Sequence, residues 1–426
     1  MSGNLPFGFG APDGGQPPFD MSQLGAMLQQ LGRLMQQGGT EGGISWDLAR
    51  DGARQAISGQ GDSSVSQAQR QAVVEAISLA QIWLDPATSF PASSADGMAW
   101  SRSEWLEGTF PAWQRIVGPI AEHVQTVMAA GEGEATPPEI AAILPEGLPP
   151  EAAAMIAPLM AMARQMGAAM FGMQVGQALA ALSTEVVGAA DVGVPLTTDA
   201  RPVLVPRNVE QFGDGLGIPV DEVRLYLALR ECAHQRLFAH VPWLPARLEG
   251  AIDGYARGIR VDPDRLGEAM RSIDPASLQD PARLPEALGS DMFALAESPE
   301  QQAALARLET VLALVEGWVS DVVSQASSAT LPSSERMEEA VRRRRAAGGP
   351  AERTFASLVG LELRPRALRE AEQLWRLLRQ SRGINGRDAL WGHPDLLPDA
   401  EDLRDPQGFL DRTSGEPLTG PEPDAP

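Results

Sequence analysis

Residues 225–244 read LYLALRECAHQRLFAHVPWL. Their centre, Arg230-Glu231-Cys232-Ala233-His234, is one residue away from His-Glu-x-x-His. In that motif two histidines one helical turn apart reach a single zinc ion, and the glutamate between them polarises a zinc-bound water. Glu231 and His234 stand at its second and last positions. Arg230 stands at the first, and a guanidinium offers no lone pair to a cation. Three protein ligands plus water are the norm at a catalytic zinc, so zinc would need ligands from elsewhere in the chain. The histidine candidates are His240, six residues after His234, and His393, in Trp391-Gly392-His393-Pro394. Against His240, Leu237 stands where the longer three-histidine pattern turns the chain with glycine, and a continuous helix points His240 away. His123 reads as structural.

On a wheel of about 100° per residue, Arg230, Glu231 and His234 share an arc with Val223, Leu227, Leu237, Phe238 and Val241. Leu225, Leu229, Cys232 and Ala239 lie on the other side, which predicts a helix buried nearly all round. Unpaired charges are costly to bury, so the three polar groups need each other, other buried partners or a metal. LALVEGWVSDVV holds a second polar break, Glu316 among Leu312, Val315, Val319, Val322 and Val323. Glu316 reads either as a carboxylate ligand donated by a second helix or as a glutamate paired with an arginine. In the metal-free alternative, Arg230 puts its charge where the ion would sit and both Glu316 and Glu231 pair with it.

Composition removes other chemistries. All 34 basic residues are arginine against 56 acidic ones, a net charge of -22. A lysine Schiff base and a P-loop lysine are therefore excluded, and so large a negative charge argues against a nucleic-acid partner. Cys232 is the single cysteine; it forms no intrachain disulfide and reads as core. The serines lack the G-x-S-x-G elbow. The most apolar run, Ala152 to Leu182, is broken by Arg164, Gln165, Gln174 and Gln177, so no membrane span is expected. MSGNLPFGFG has neither the basic nor the apolar region of a signal peptide, and the expected location is the cytoplasm.

The elements that must carry these residues are mostly helices, with at most a small β element. Residues 1–44 read as a flexible arm with one short amphipathic helix, Met21 to Gln37, either a tethered packing helix or a docking helix. Residues 45–410 read as one helical domain, and 411–426 as an acidic, proline-rich tail. Helices are expected from a Ser45 N-cap to Ser58, from Ser64 to Leu84, as two segments within 101–130, over 244–257, 299–327, 333–347 and 364–381, and after an Asp221 N-cap to about Val241, where Pro242 ends the helix. Residues 131–151 and 350–363 read as connecting segments. Gly172-x-x-x-Gly176 predicts a close helix pair, and Val194 to Val209 is the best strand candidate. Arg342 to Arg345 read as a helix C-terminal turn that offsets the dipole, or alternatively as a phosphate or nucleic-acid contact. Asp395 to Pro426 is expected to wrap the surface or stay disordered.

In this order, the segments resemble the actinobacterial zincin-like metallopeptidase family, also labelled zinc-dependent metalloprotease and related to a group associated with coenzyme F420 biosynthesis. The resemblance spans roughly Trp46 to Leu410. It rests on ALRECAHQRLFAHVPWL, YARGIRVD, LVEGWVSDVV, RRRRAAGGPAERTFASLVGLELRPR and RDALWGHPDLLPDAEDL. It implies a zincin-like helical fold, zinc as cofactor and cleavage of a peptide or amide bond. Matched residue by residue, it implies Glu231 as catalytic base and His234 and Glu316 as zinc ligands, while Arg230 departs from the first histidine. Three readings follow: a homologue impaired by Arg230 and without zinc, an active zinc peptidase with His240 or His393 as substitute ligand, or a non-catalytic binding or scaffold protein with a peptide or protein partner. If the pocket is a preserved zincin site, Arg230→His alone is expected to create zinc binding.

Overall fold

A computed structural model describes residues 43–130, 150–258, 298–348 and 367–413. The chain is mainly α. The helices are α1 Trp46–Gly59, α2 Gln67–Leu84, α3 Arg102–Ala130, α4 Pro150–Ser183, α5 Pro206–Gly213, α6 Val220–His240 and α7 Trp243–Arg257, then α8 Pro299–Ser327, α9 Ser334–Ala346, α10 Leu368–Asp388, α11 Ala400–Arg404 and α12 Pro406–Thr413. Strands β1 (Met98–Ala99) and β2 (Val203–Leu204) pair in parallel, Met98 with Val203 and Ala99 with Leu204. They are the only named strands among the described residues. No helix among those residues is long and apolar enough to cross a membrane.

Helices α6 and α8 form the centre. Every residue from Tyr226 to Phe238 in α6 is buried, and so is every residue from Val311 to Val323 in α8. The two pack on each other, with α2 and α5 against α6 and α7 and α10 against α8. α6 ends at His240, with Val241 as its C-cap, because the residue before Pro242 is steered out of helical geometry. A helix buried on all faces gains nothing from an amphipathic stripe; its polar residues must be satisfied by neighbouring elements.

Several boundaries differ from the sequence expectation. Ser45 occupies the N-cap of α1, but its side chain makes no capping bond. Ser66, with Gln69, forms the capping box of α2 instead. Residues 102–130 form one helix rather than two, with Pro111 and Pro119 inside it. Each proline costs about 3 kcal/mol in a helix interior; burial of Trp105, Leu106, Phe110, Trp113, Ile116, Val117 and Ile120 outweighs it. Pro219, not Asp221, caps α6; Asp221 lies in the first turn and pairs with Arg224 at 2.7 Å. Only Val203–Leu204 of the expected strand pairs, because Pro206 starts α5 at the position where proline suits a helix. The acidic C-terminal region folds as far as α12, burying Leu403, Phe409 and Leu410. The Met21 to Gln37 stripe, residues 131–149, the 350–363 connection and residues 414–426 lie outside the described residues.

A second polar assembly holds the far end of α8. Asp321 accepts Arg379 Nε and Nη2, at 2.9–3.2 Å, and Arg387 Nη1 at 2.8 Å. Asp388 accepts Arg387 Nε, Trp318 Nε1 and Thr88 Oγ1 at 2.8–2.9 Å. α10 runs through Gly383 at φ 72°, a left-handed conformation suited to glycine, and Arg387 and Asp388 beyond it are buried.

The expected close pair is α1 against α4. A Cβ on Gly172 would lie 2.6 Å from the carbonyl oxygen of Ser45, and one on Gly176 would run into that of Ala49. Gly167, on the same helix, has open space around it. Gly176→Ala is therefore expected to lower the unfolding free energy by roughly 1–3 kcal/mol, while Gly167→Ala raises it by about 0.5–1 kcal/mol. Urea unfolding of both variants checks the contrast.

Candidate functional site

The cluster is built by four elements. α6 brings Tyr226, Arg230 and His234 to one face at four-residue spacing. α8 supplies Glu316, α9 supplies Arg344 and Arg345 from its last turn, and the loop between α4 and β2 supplies Asp191. Glu316 is 1% exposed, His234 2% and Arg230 6%. The Glu316 carboxylate is the hub. Its Oε2 accepts Arg230 Nη2 at 2.7 Å. Its Oε1 lies 2.8 Å from Arg345 Nη2 and 3.0 Å from His234 Nε2.

His234 is held at both ring nitrogens. Nδ1 lies 2.9 Å from the Arg230 carbonyl oxygen and Nε2 faces the Glu316 carboxylate. Both ring nitrogens thus face oxygen atoms. Two guanidinium groups and one imidazole therefore surround one buried carboxylate. Burial pushes the Glu316 carboxyl up, but Arg345, His234 and Arg230 together outweigh it and hold the group at about 2. Burial pulls the Arg345 guanidinium down, with Arg230 and Arg344 adding to that effect and Glu316 opposing it; an arginine nonetheless keeps its proton at neutral pH. Tyr226, one turn before Arg230, is pushed up to about 12 by burial.

Asp191 supplies a second countercharge. Its Oδ2 lies 3.0 Å from Arg344 Nη1 and accepts the Val187 N–H at 3.0 Å. Burial raises its carboxyl, and Arg344, Arg345 and the Val187 N–H bring it below its ordinary value. Arg344 also donates to the Glu185 carbonyl and lies over the Phe212 ring. Two glycines let this loop approach: Gly193, at φ 80°, where a Cβ would lie 3.3 Å from Glu316 Oε1, and Gly188, where a Cβ would lie 2.5 Å from Glu231 Oε2.

Glu231 accepts hydrogen bonds from three N–H groups. It does not pair with Arg230. Its Oε2 accepts the Ala190 N–H at 3.0 Å, and its Oε1 accepts the Val203 N–H at 3.2 Å and Gln235 Nε2 at 2.9 Å. The side chain thus ties α6 to the glycine loop and to β2. Burial raises its carboxyl, and the Gln235 amide, the Ala190 N–H, His234 and the Val203 N–H oppose that rise only in part.

The two proposed substitute ligands are engaged elsewhere. His240 Nδ1 lies 2.9 Å from the Arg236 carbonyl oxygen, and its ring stacks on Phe90 at 5.9 Å. Since a carbonyl only accepts, Nδ1 carries the proton. His393 is 36% exposed at its side chain and accepts the Asp395 N–H. Neither joins Glu316 and His234: among the described residues no three His, Cys, Asp or Glu side chains gather so as to hold a metal. His123 lies on α3, and Cys232 is buried with its thiol pushed up by burial.

Arg230, His234 and Glu316 come together as their need for buried partners suggested, but sequence reasoning missed Arg345 and Asp191. The signal for Arg345 was the four-arginine run. Its first two members behave as a helix end, Arg342 pairing with Glu338 and Glu339 and Arg343 with Glu339. Its last two enter the cluster. Removing Glu316 would leave those cations buried together, so Glu316→Gln is expected to cost about 3–5 kcal/mol of stability at neutral pH. A carboxyl lowered from 4.5 to about 2 stabilises the fold fully above the ordinary value and loses that contribution as pH falls toward 2. The stability gap between wild type and Glu316→Gln should therefore narrow between about pH 5 and pH 2, as read by denaturant unfolding at stepped pH; a constant gap would contradict the assignment.

The overall arrangement is shared with a solved structure. A protein from Chloroflexus aurantiacus, described as a presumed hydrolase with a novel fold, is similar over 88% of this chain and 100% of that one, with a TM-score of 0.59 and 19% identity. At that identity the likeness shows a shared fold. No curated protein matches the chain. The family model for zincin-like metallopeptidases matches residues 44–410, and the chain belongs to that family.

Proposed function

We propose that this chain is a metal-free member of its family, a binding or scaffold protein in which fixed charges stand where zinc would be held. The observation that carries this reading is the occupation of Glu316. Both of its oxygens are taken by guanidinium nitrogens, at 2.7 and 2.8 Å. A zinc ion placed beside Glu316 and His234 would meet the charges of Arg230 and Arg345 and find only those two donors. The donor set does not fit a catalytic zinc, which takes three protein ligands and a water.

Glu231 supports the same reading. A general base needs a carboxylate oxygen free to take a proton from water, whereas both Glu231 oxygens accept N–H groups from the surrounding backbone and Gln235. Its role in this proposal is to hold the glycine loop and β2 in place. The partner class is a peptide or protein segment, the ligand type that the family fold serves, and the proposed location is the cytoplasm.

Metal analysis of protein purified without chelator tests the proposal. Zinc is expected far below one ion per chain, with no peptide hydrolysis. Glu231→Ala is expected to lower stability by roughly 1–3 kcal/mol for each backbone N–H left unsatisfied. Near-stoichiometric zinc, together with hydrolysis abolished by Glu231→Gln, would sink the reading and restore an active peptidase.

A further inference from the structure

Arg345 reaches the Glu316 oxygen that also faces His234. Its Nη2 lies 2.8 Å from Glu316 Oε1, the same oxygen that faces His234 Nε2 at 3.0 Å. That nitrogen also donates to the Asp191 carbonyl at 3.0 Å and lies 4.0 Å from Asp191 Oδ1. Two acidic residues therefore meet a single guanidinium nitrogen, and one of them, Glu316, uses the same oxygen to face the His234 ring. Arg230 approaches Glu316 from the other oxygen, and its second nitrogen reaches Ser320 Oγ at 3.4 Å. The two arginines come from different helices and take different oxygens, so removing one leaves the other in place.

We infer that Arg345 is a second, independent stand-in for the metal: a cation tethered at the end of α9 that keeps the site closed even when Arg230 is replaced. The inference rests on the metal-free reading proposed above. It changes what a restored motif does. Arg230→His completes the His-Glu-x-x-His sequence and places a nitrogen donor one turn from His234, yet Glu316 Oε1 stays bound to Arg345 and a charge of the wrong sign stays beside the donors. Arg345 is a positioning residue here; it fastens the last turn of α9 to α8 through Glu316 and to the glycine loop through Asp191. Arg344 adds a parallel fastening to Asp191 and to the Glu185 carbonyl.

The test is zinc titration of full-length Arg230→His and of Arg230→His/Arg345→Ala against a competing chelating dye, with far-ultraviolet circular dichroism to establish folding. The double variant is expected to bind zinc at least about tenfold more tightly than the single variant, a difference of about 1.4 kcal/mol. Equal affinities, or no zinc in a folded double variant, would overturn the inference. Should the double variant not fold, a thermal-unfolding cycle decides: Arg345→Ala is expected to lower the Tm markedly in wild type and much less in Glu316→Gln. Equal Tm losses in the two backgrounds would overturn it as well. Stoichiometric zinc in the unaltered protein sinks the metal-free reading itself, whereas equal zinc binding by the two variants sinks only the role of Arg345.

Discussion

Everything at the centre of this protein turns on how a carboxylate survives inside it. Glu316 sits in the middle of a helix whose neighbours on both sides are buried. An isolated charge there would be neutralised or would unfold the helix. Arg230, His234 and Arg345 prevent that, and each comes with the constraints of its own element. The pairing of α6 with α8, the docking of the last turn of α9 and the approach of the 187–193 loop are three consequences of one need for countercharge.

The same solution recurs five residues further along α8. Asp321 is balanced by Arg379 and Arg387, and Asp388 shares Arg387 while accepting Trp318 and Thr88. A chain with arginine as its only basic residue is suited to this. The guanidinium is planar, always charged and able to serve two acceptors at once. Such assemblies stabilise less than their short distances suggest, because desolvation opposes the Coulomb attraction. Their effect is on specificity: a partner lost at either end of α8 leaves a buried charge, which few alternative packings tolerate.

Glu231 illustrates how position in a motif and position in space can diverge. It occupies the place of a catalytic base in the sequence, yet its acceptor oxygens are met by Ala190, Val203 and Gln235. The glycine at position 188 is what allows that meeting, since any Cβ there would collide with the carboxylate. The loop and the glutamate specify each other. The N–H groups of Ala190 and Val203 that it accepts make the side chain a bracket between α6 and the loop.

The sequence by itself determined the mainly helical class, the burial of α6 on every side, its stop before Pro242, and the need of Arg230, His234 and Glu316 for partners. Those features follow from local rules: apolar periodicity, proline geometry and the cost of a buried charge. Only the tertiary structure decided which partners they found. Arg345 lies more than a hundred residues from Arg230 and looks, in sequence, like the fourth member of an ordinary basic helix end. Asp191 and Gly188 sit in a loop with no periodic pattern to mark them. Residues 102–130 form one helix through Pro111 and Pro119 because core packing overrides the proline penalty. Periodicity tells which side of a helix is buried, but the identity of a countercharge depends on where distant elements cross, and that depends on the packing of the whole chain.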